Sequence, residues 1–125
     1  MFTSLMPHLF TTDIDRASAF YRDQLGFAQT FRYPAEGQLE HVELQLGESV
    51  LALSTHDAAH SAGLAPTAGN PLELIVWCDD VDAALDRLRA DGASVIAEPY
   101  NHIANRRASV TDPDGNWVAL IGDKR

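Results

Sequence analysis

The chain of 125 residues carries 18 acidic and 9 basic side chains, which gives a formal net charge of −9 with neutral histidines. This length predicts a single domain or two small modules that share a core, and a composition of 46% hydrophobic and 22% charged residues is typical of a folded globular domain. Because binding to phosphate backbones depends on clustered Lys and Arg, an acidic chain with scattered basic residues argues against a nucleic-acid partner.

The sequence also argues against a membrane partner. No apolar run approaches the length needed to cross a bilayer, and the first ten residues lack the basic flank of a signal peptide. The single cysteine, Cys78, cannot form an intramolecular disulfide, as is usual in a reducing compartment. We therefore expect a cytoplasmic protein.

The first half of the chain is predicted to form a strand, a helix and three further strands. The apolar run of residues 5–11 precedes a pattern with helical periodicity. This pattern begins with short acidic residues at Asp13 and ends at Gly26. Three β-like runs follow, at residues 27–33, 39–46 and 49–54.

The second half is predicted to repeat this order. Residues 56–71 are rich in Ala, Gly and Pro without helical or strand periodicity, and they are interpreted as a linker. A strand at residues 72–78 and a helix from Asp80 to Gly92 come next, and three strands are predicted at residues 94–98, 103–111 and 116–121.

The two halves are related by a constant offset. Asp80 lies 67 residues after Asp13, and the apolar residues 117–120 lie 67 residues after residues 50–53. Chance similarity between two short αβ segments is the alternative explanation. The offset favours two βαβββ modules, residues 1–55 and 72–125, within one domain that spans residues 1–125.

Two segments carry a resemblance to a known family. Residues 6–27 (MPHLFTTDIDRASAFYRDQLGF) and residues 112–117 (DPDGNW) resemble the glyoxalase / bleomycin resistance / dioxygenase family, also called the vicinal oxygen chelate (VOC) superfamily. The resemblance covers essentially the whole chain. It implies an α+β fold in which two βαβββ modules form a curved mixed sheet, shaped as a cup, with the helices on the outside. The resemblance says little about activity, because proteins with one fold can have many different functions.

The resemblance also implies where a metal would bind. In the metal-dependent members the ligands come from the first and last strand of each module, at positions that fall here on Met6, Ala52, Glu73 and Ala119. Only Glu73 offers a donor that a hard divalent metal prefers. We therefore expect no metal cofactor, and the branches that activate substrate oxygen through a metal are less favoured.

Strand alternation predicts which side chains line the cup. In each strand one set of alternate residues is apolar and should pack on the helices, which leaves the other set for the opposite face. The expected ligand-binding residues on that face are His8, Phe10, His41, Glu43, Glu73, Trp77, Arg107 and Trp117. A mostly aromatic surface with a few polar groups suits a small organic molecule, and aromatic faces attract cations. A flat and preferably cationic ligand, held by Trp77 and Trp117, is therefore predicted.

Several of these residues have a second interpretation. The two tryptophans could fill a core instead of contacting a ligand. Glu73 is the best candidate for catalysis, because a carboxylate on an apolar strand is unfavourable unless it is paired or solvated, and the alternative is a salt bridge with Arg107. His41 and Glu43 could form a solvated strand face, and His8 could be a displaced metal ligand.

Three functions are consistent with this pattern. The favoured one is a small-molecule binding protein similar to bleomycin resistance proteins, for which the resemblance implies a homodimer and a role in antibiotic resistance. The alternative is a metal-dependent glyoxalase-like lyase, isomerase or dioxygenase with a rearranged divalent-metal site drawn from His8, His41, Glu43 and Glu73. A third is metal-free acid–base chemistry by Glu73 together with His8 or His41.

Overall fold

The computed structural model describes all 125 residues, Met1–Arg125. The chain divides into two compact units, residues 1–67 and residues 68–125. The boundary lies inside the segment 56–71. None of the helices combines the length and apolar character that a membrane span requires.

The first unit contains four strands in one mixed sheet. Its order is β1-β4-β3-β2, in which β1 runs parallel to β4 and the other neighbours are antiparallel. The elements in chain order are β1 (His8–Thr11), α1 (Ile14–Ala19), a π-helical turn (Phe20–Gln24), β2 (Ala28–Tyr33), β3 (His41–Leu46), β4 (Ser49–Thr55) and α2 (His56–Ser61).

The second unit repeats this topology. Its sheet order is β5-β8-β7-β6, with β5 parallel to β8 and the other pairs antiparallel. The elements are β5 (Glu73–Trp77), α3 (Val81–Ala90), β6 (Ser94–His102), β7 (Asn105–Thr111) and β8 (Trp117–Gly122). The α+β class and the βαβββ order of both modules are therefore confirmed.

Strand register reproduces the offset of the sequence repeat. His8 of β1 pairs with Ala52 of β4, and Ile75 of β5 pairs with Ala119 of β8. Each residue of the second pair lies 67 positions after its counterpart in the first. The repeat is thus present at the level of individual strand partners.

Both long helical segments begin at a capping aspartate, as predicted. The Asp13 side chain accepts a hydrogen bond from the backbone N–H of Arg16, and that of Asp80 accepts one from Ala83. Such bonds satisfy N–H groups that have no partner inside the first turn of a helix.

Each unit buries the apolar side of its sheet against its own long helical segment. Alternate strand residues form that side, as the geometry of a strand requires. They are Val42, Leu44, Leu51 and Leu53 in the first unit and Ala108, Val110, Val118 and Leu120 in the second, all at most 4% exposed. We call the opposite side of each sheet its distal face; it carries the remaining alternate residues.

Several predicted boundaries are wrong by a few residues. β1 begins at His8 rather than at residue 5, so Met6 precedes the strand. β6 continues to His102 instead of ending at residue 98, and β7 begins at Asn105 instead of residue 103. The hairpin turn lies at Ile103, whose φ of 49° is left-handed, a conformation that a β-branched residue does not signal.

The prediction that residues 56–71 lack helical structure is also wrong at their start. Thr55 accepts a hydrogen bond from the backbone N–H of Ala58 and caps helix α2, which buries Ala59. A helix of six residues is too short to show a periodic pattern, whereas its cap is a signal that can be found in the sequence.

Candidate functional site

The distal face of the first unit centres on Ser54. In the sheet, Ser54 of β4 lies opposite His41 of β3 on one side and Phe10 of β1 on the other. Its Oγ lies 2.6 Å from Nδ1 of His41 and 2.8 Å from Nε2 of His8. Two imidazoles from different strands therefore share one hydroxyl group.

A carboxylate fixes the direction of one further hydrogen bond. Nε2 of His41 lies 3.2 Å from Oε2 of Glu43, and a carboxylate can only accept, so the His41 Nε2–H donates. In the tautomer of His41 that carries its proton on Nε2, Nδ1 accepts from the Ser54 hydroxyl, and the Ser54 oxygen in turn accepts from the His8 Nε2–H. The lone pair of His8 is consequently left on Nδ1.

The residues of this hydrogen-bonded series differ in burial. Ser54 is 3% exposed, whereas the imidazole at the end, His8, belongs to an exposed residue. Partial burial lowers the pKa of His8, the nearby His41 lowers it further, and Glu43 opposes both effects. The neutral form of His8 thus predominates at neutral pH.

Aromatic rings flank the two histidines. The ring of Phe10 lies 4.6 Å from that of His8, and the ring of Phe31 lies 6.0 Å from that of His41. Phe31 is an exposed residue at the position opposite Glu43 in the sheet. The polar centre is therefore bordered by apolar surface, as in many small-molecule sites.

The sequence did not single out Ser54, although a signal was present. Ser54 follows Ala52 by two residues, so alternation places both on the same face of β4. Ser54 is also the only hydroxyl-bearing residue in the buried stretch of β4, residues 51–54.

The distal face of the second unit holds an ion pair. Nη2 of Arg107 on β7 lies 2.9 Å from Oε2 of Glu73 on β5, with β8 between the two strands. Ala119, at the middle of the intervening strand, is fully buried. The salt bridge that the sequence left open as an alternative for Glu73 is thus present.

Two exposed tryptophans lie on the same face. Trp77 is 68% exposed and Trp117 is 42% exposed, so neither is a core residue of the chain. Trp117 pairs with Glu73, and Trp77 lies four residues further along β5, which separates the two positions by about 13 Å. One small ring cannot stack on both side chains.

The predicted ligand-binding residues thus form two groups. His8, Phe10, His41 and Glu43 lie together in the first unit, and Glu73, Trp77, Arg107 and Trp117 lie on one sheet face of the second. Their role in binding remains a prediction.

The four positions that the family resemblance assigns to metal ligands do not fit a divalent ion. Met6 lies outside the strand, Ala52 and Ala119 are buried without donor atoms, and Glu73 is paired with Arg107. No group of three or more His, Cys, Asp and Glu side chains has an arrangement suited to a metal ion.

Cys78 follows β5 and is partly buried. Burial raises the pKa of its thiol, and the charges of Asp79 and Asp80 raise it further. Because the thiolate is the nucleophilic form, this environment disfavours nucleophilic chemistry at Cys78.

The fold and these residues define a member of the VOC class of proteins. The model of the Glyoxalase/Bleomycin resistance protein/Dioxygenase superfamily matches residues 3–120. The chain therefore belongs to this superfamily. A protein of Mycolicibacterium smegmatis is 34% identical to it over 112 residues, which cover 90% of this chain and 86% of that protein.

Two solved structures show the same fold. A glyoxalase/bleomycin resistance protein/dioxygenase family enzyme from Burkholderia phytofirmans is 26% identical, with a TM-score of 0.84 over 95% of this chain and 97% of that one. TioX from Micromonospora sp. ML1 is 25% identical, with a TM-score of 0.78 over 98% of this chain and 99% of the other.

Proposed function

We propose that this chain is a small-molecule binding protein, similar to bleomycin resistance proteins, that sequesters a flat aromatic compound without metal chemistry. The observation that carries this proposal is the exposure of Trp77, at 68%, on a strand that also exposes Ile75 and adjoins Trp117. A group of neighbouring exposed apolar side chains is typical of a surface that binds a ligand or a partner.

The spacing of the tryptophans constrains the ligand. Since the two positions are about 13 Å apart along the strand direction, a compound that contacts both indoles needs an extended or multi-ring aromatic system. A single-ring compound would use only one of them.

A cationic ligand is preferred for two reasons. The face of an indole attracts positive charge, and the chain as a whole has a net charge of −9. The carboxylate of Glu73 contributes less than its sequence position suggests, because Arg107 neutralises it. The preference therefore rests on the rings and the overall charge.

Fluorescence titration tests the proposal, since the two tryptophans are the only ones in the chain. Bleomycin and a panel of planar aromatic cations, each with a neutral analogue of the same shape, are titrated against the parent chain and against Trp77→Leu. We expect saturable quenching by at least one cation, weaker quenching by its neutral analogue, and about tenfold weaker binding to the variant, as measured by calorimetry.

Phe2→Leu is the matched control, because Phe2 is fully exposed outside any strand or helix. Binding to this variant should equal that of the parent. If no compound of the panel binds, or if Trp77→Leu binds as tightly as the parent, the proposal is wrong.

Two further features belong to the same proposal. We infer that the protein acts as a cytoplasmic homodimer with a role in resistance to a toxic compound, on the basis of its family and its single partly buried cysteine. Sedimentation equilibrium should give twice the chain mass of 13.6 kDa. Expression in a sensitive bacterial host should raise the tolerated concentration of the bound compound.

A further inference from the structure

The hydrogen-bonded series His8, Ser54, His41 and Glu43 has no part in the binding proposed above, which rests on the tryptophans of the second unit. Its bonds of 2.8, 2.6 and 3.2 Å join three strands of the first unit and end at a carboxylate. We propose that His8 is the proton acceptor of a metal-free acid–base site that takes a small ligand with a weakly acidic hydroxyl, a phenol or an enol.

The geometry selects Nδ1 of His8 as the reactive atom. Glu43 accepts from His41 Nε2–H, His41 Nδ1 accepts from Ser54, and Ser54 accepts from His8 Nε2–H. No hydrogen bond of the folded chain uses His8 Nδ1. Because His8 is exposed while Ser54 is buried, a ligand can reach this nitrogen but not the serine oxygen.

The residues of the series can accept the proton of the ligand without any further reactant. The O–H bond of the ligand breaks, its electron pair stays on the ligand oxygen, and the proton binds Nδ1 of His8. The resulting positive charge can move along the series: the His8 Nε2 proton passes to Ser54, and the Ser54 proton passes to Nδ1 of His41. The charge then lies beside the carboxylate of Glu43, which stabilises it.

His8 is the only member of the series that touches the ligand, and Ser54, His41 and Glu43 are positioning residues. The flanking rings of Phe10 and Phe31 supply apolar surface on which an aromatic or conjugated ligand can lie. A phenol or an enol combines such a surface with the acidic hydroxyl. The titratable groups that face His8 are His41 and Glu43.

Nitrogen-15 NMR of the histidine side chains tests the geometry without any ligand. At neutral pH we expect His8 to show an unprotonated Nδ1 and a protonated Nε2, as a single tautomer. In Ser54→Ala, His8 should become a mixture of tautomers like the exposed His60. A protonated Nδ1 on His8 in the parent, or an unchanged spectrum in Ser54→Ala, would overturn the proposal.

Titration with para-nitrophenol tests the chemistry, because its phenolate absorbs visible light and the phenol does not. At a pH just below the pKa of the free probe, the protein should raise the phenolate fraction. His8→Gln, whose amide N–H can still donate to Ser54, should abolish this rise. His60→Gln and Ser18→Ala should leave it unchanged, since neither residue belongs to the series.

Two results would contradict the proposal. One is the absence of phenolate formation up to the solubility limit of the probe. The other is an equal rise in His8→Gln and in the parent. Neither result depends on Trp77, so Trp77→Leu should behave as the parent in this assay, and the outcome is separable from that of the binding proposal.

Discussion

Arg107 donates a hydrogen bond of 2.9 Å to Glu73 and ties β7 to β5 across the strand between them. The carboxylate that the sequence nominates as the best catalytic candidate is therefore the partner of a partly exposed ion pair, with side-chain exposures of 31% for Glu73 and 22% for Arg107. Such a pair stabilises the sheet and reduces the availability of Glu73 for acid–base work.

Removal of this ion pair should have a modest effect. Glu73→Gln should lower the free energy of unfolding by about 1 kcal/mol, because the pair is in contact with solvent. Urea unfolding of Glu73→Gln, Arg107→Met and the double variant yields the interaction energy. A favourable coupling of about 0.5–1 kcal/mol is expected. A coupling of zero would show that the contact is not maintained in solution.

Two buried serines provide a matched comparison. Ser54 binds two imidazole nitrogens, whereas Oγ of Ser18, a residue only 1% exposed, has no hydrogen-bond partner. Ser54→Ala should destabilise the chain by about 1–3 kcal/mol, since it leaves polar nitrogens without their partner. Ser18→Ala should be neutral or slightly stabilising. Chemical denaturation of both variants measures the difference, and equal effects would contradict the hydrogen-bond series.

Stability should depend on pH through His8. Its pKa in the folded chain lies below the value of about 6.5 expected for an unfolded chain. The unfolded chain therefore binds the proton more readily than the folded chain. The contribution of His8 to the free energy of unfolding is complete above about pH 6.5, and it is lost as the pH falls through the lower pKa of the folded chain.

Unfolding midpoints measured between about pH 5 and 8 check this dependence. In His8→Gln, the fall in stability at the acid end should be smaller than in the parent, whereas His60→Gln should retain it because His60 is exposed. Parallel curves for the parent and His8→Gln would refute the assignment.

Gly122 should tolerate no side chain. A Cβ there would lie 2.5 Å from the carbonyl oxygen of Cys78 and 3.2 Å from Cγ2 of Val81. Gly122→Ala should therefore lower the free energy of unfolding by about 1–3 kcal/mol, because the backbone of the β5–α3 connection must move. The neighbouring exposed residue offers a control, and Asp123→Ala should change stability by less than about 0.5 kcal/mol. Wild-type stability of Gly122→Ala would exclude this close approach.

Local signals were sufficient to predict the fold. Capping aspartates, terminal glycines and the alternation of apolar and polar residues in β3 and β7 act over a few residues, and they indicated the order of elements and the packed faces. The cross-strand contacts of the site were harder to predict. The bonds from Ser54 to His8 and His41 depend on strand register and rotamers, which no sequence spacing encodes.

The π-helical turn at Phe20–Gln24 explains how the helical segments of the two repeats differ in length. Gly26 lies 13 positions after the capping Asp13, and Gly92 lies 12 positions after Asp80, each glycine having a left-handed φ. The first copy thus contains a one-residue insertion, which a wider helical turn absorbs. Both copies nevertheless share the same offset between their parallel strands. The extra residue is offset by one residue fewer between Gly26 and β4, so duplicated modules of this kind can change length in the helical layer while their parallel strands keep the same register.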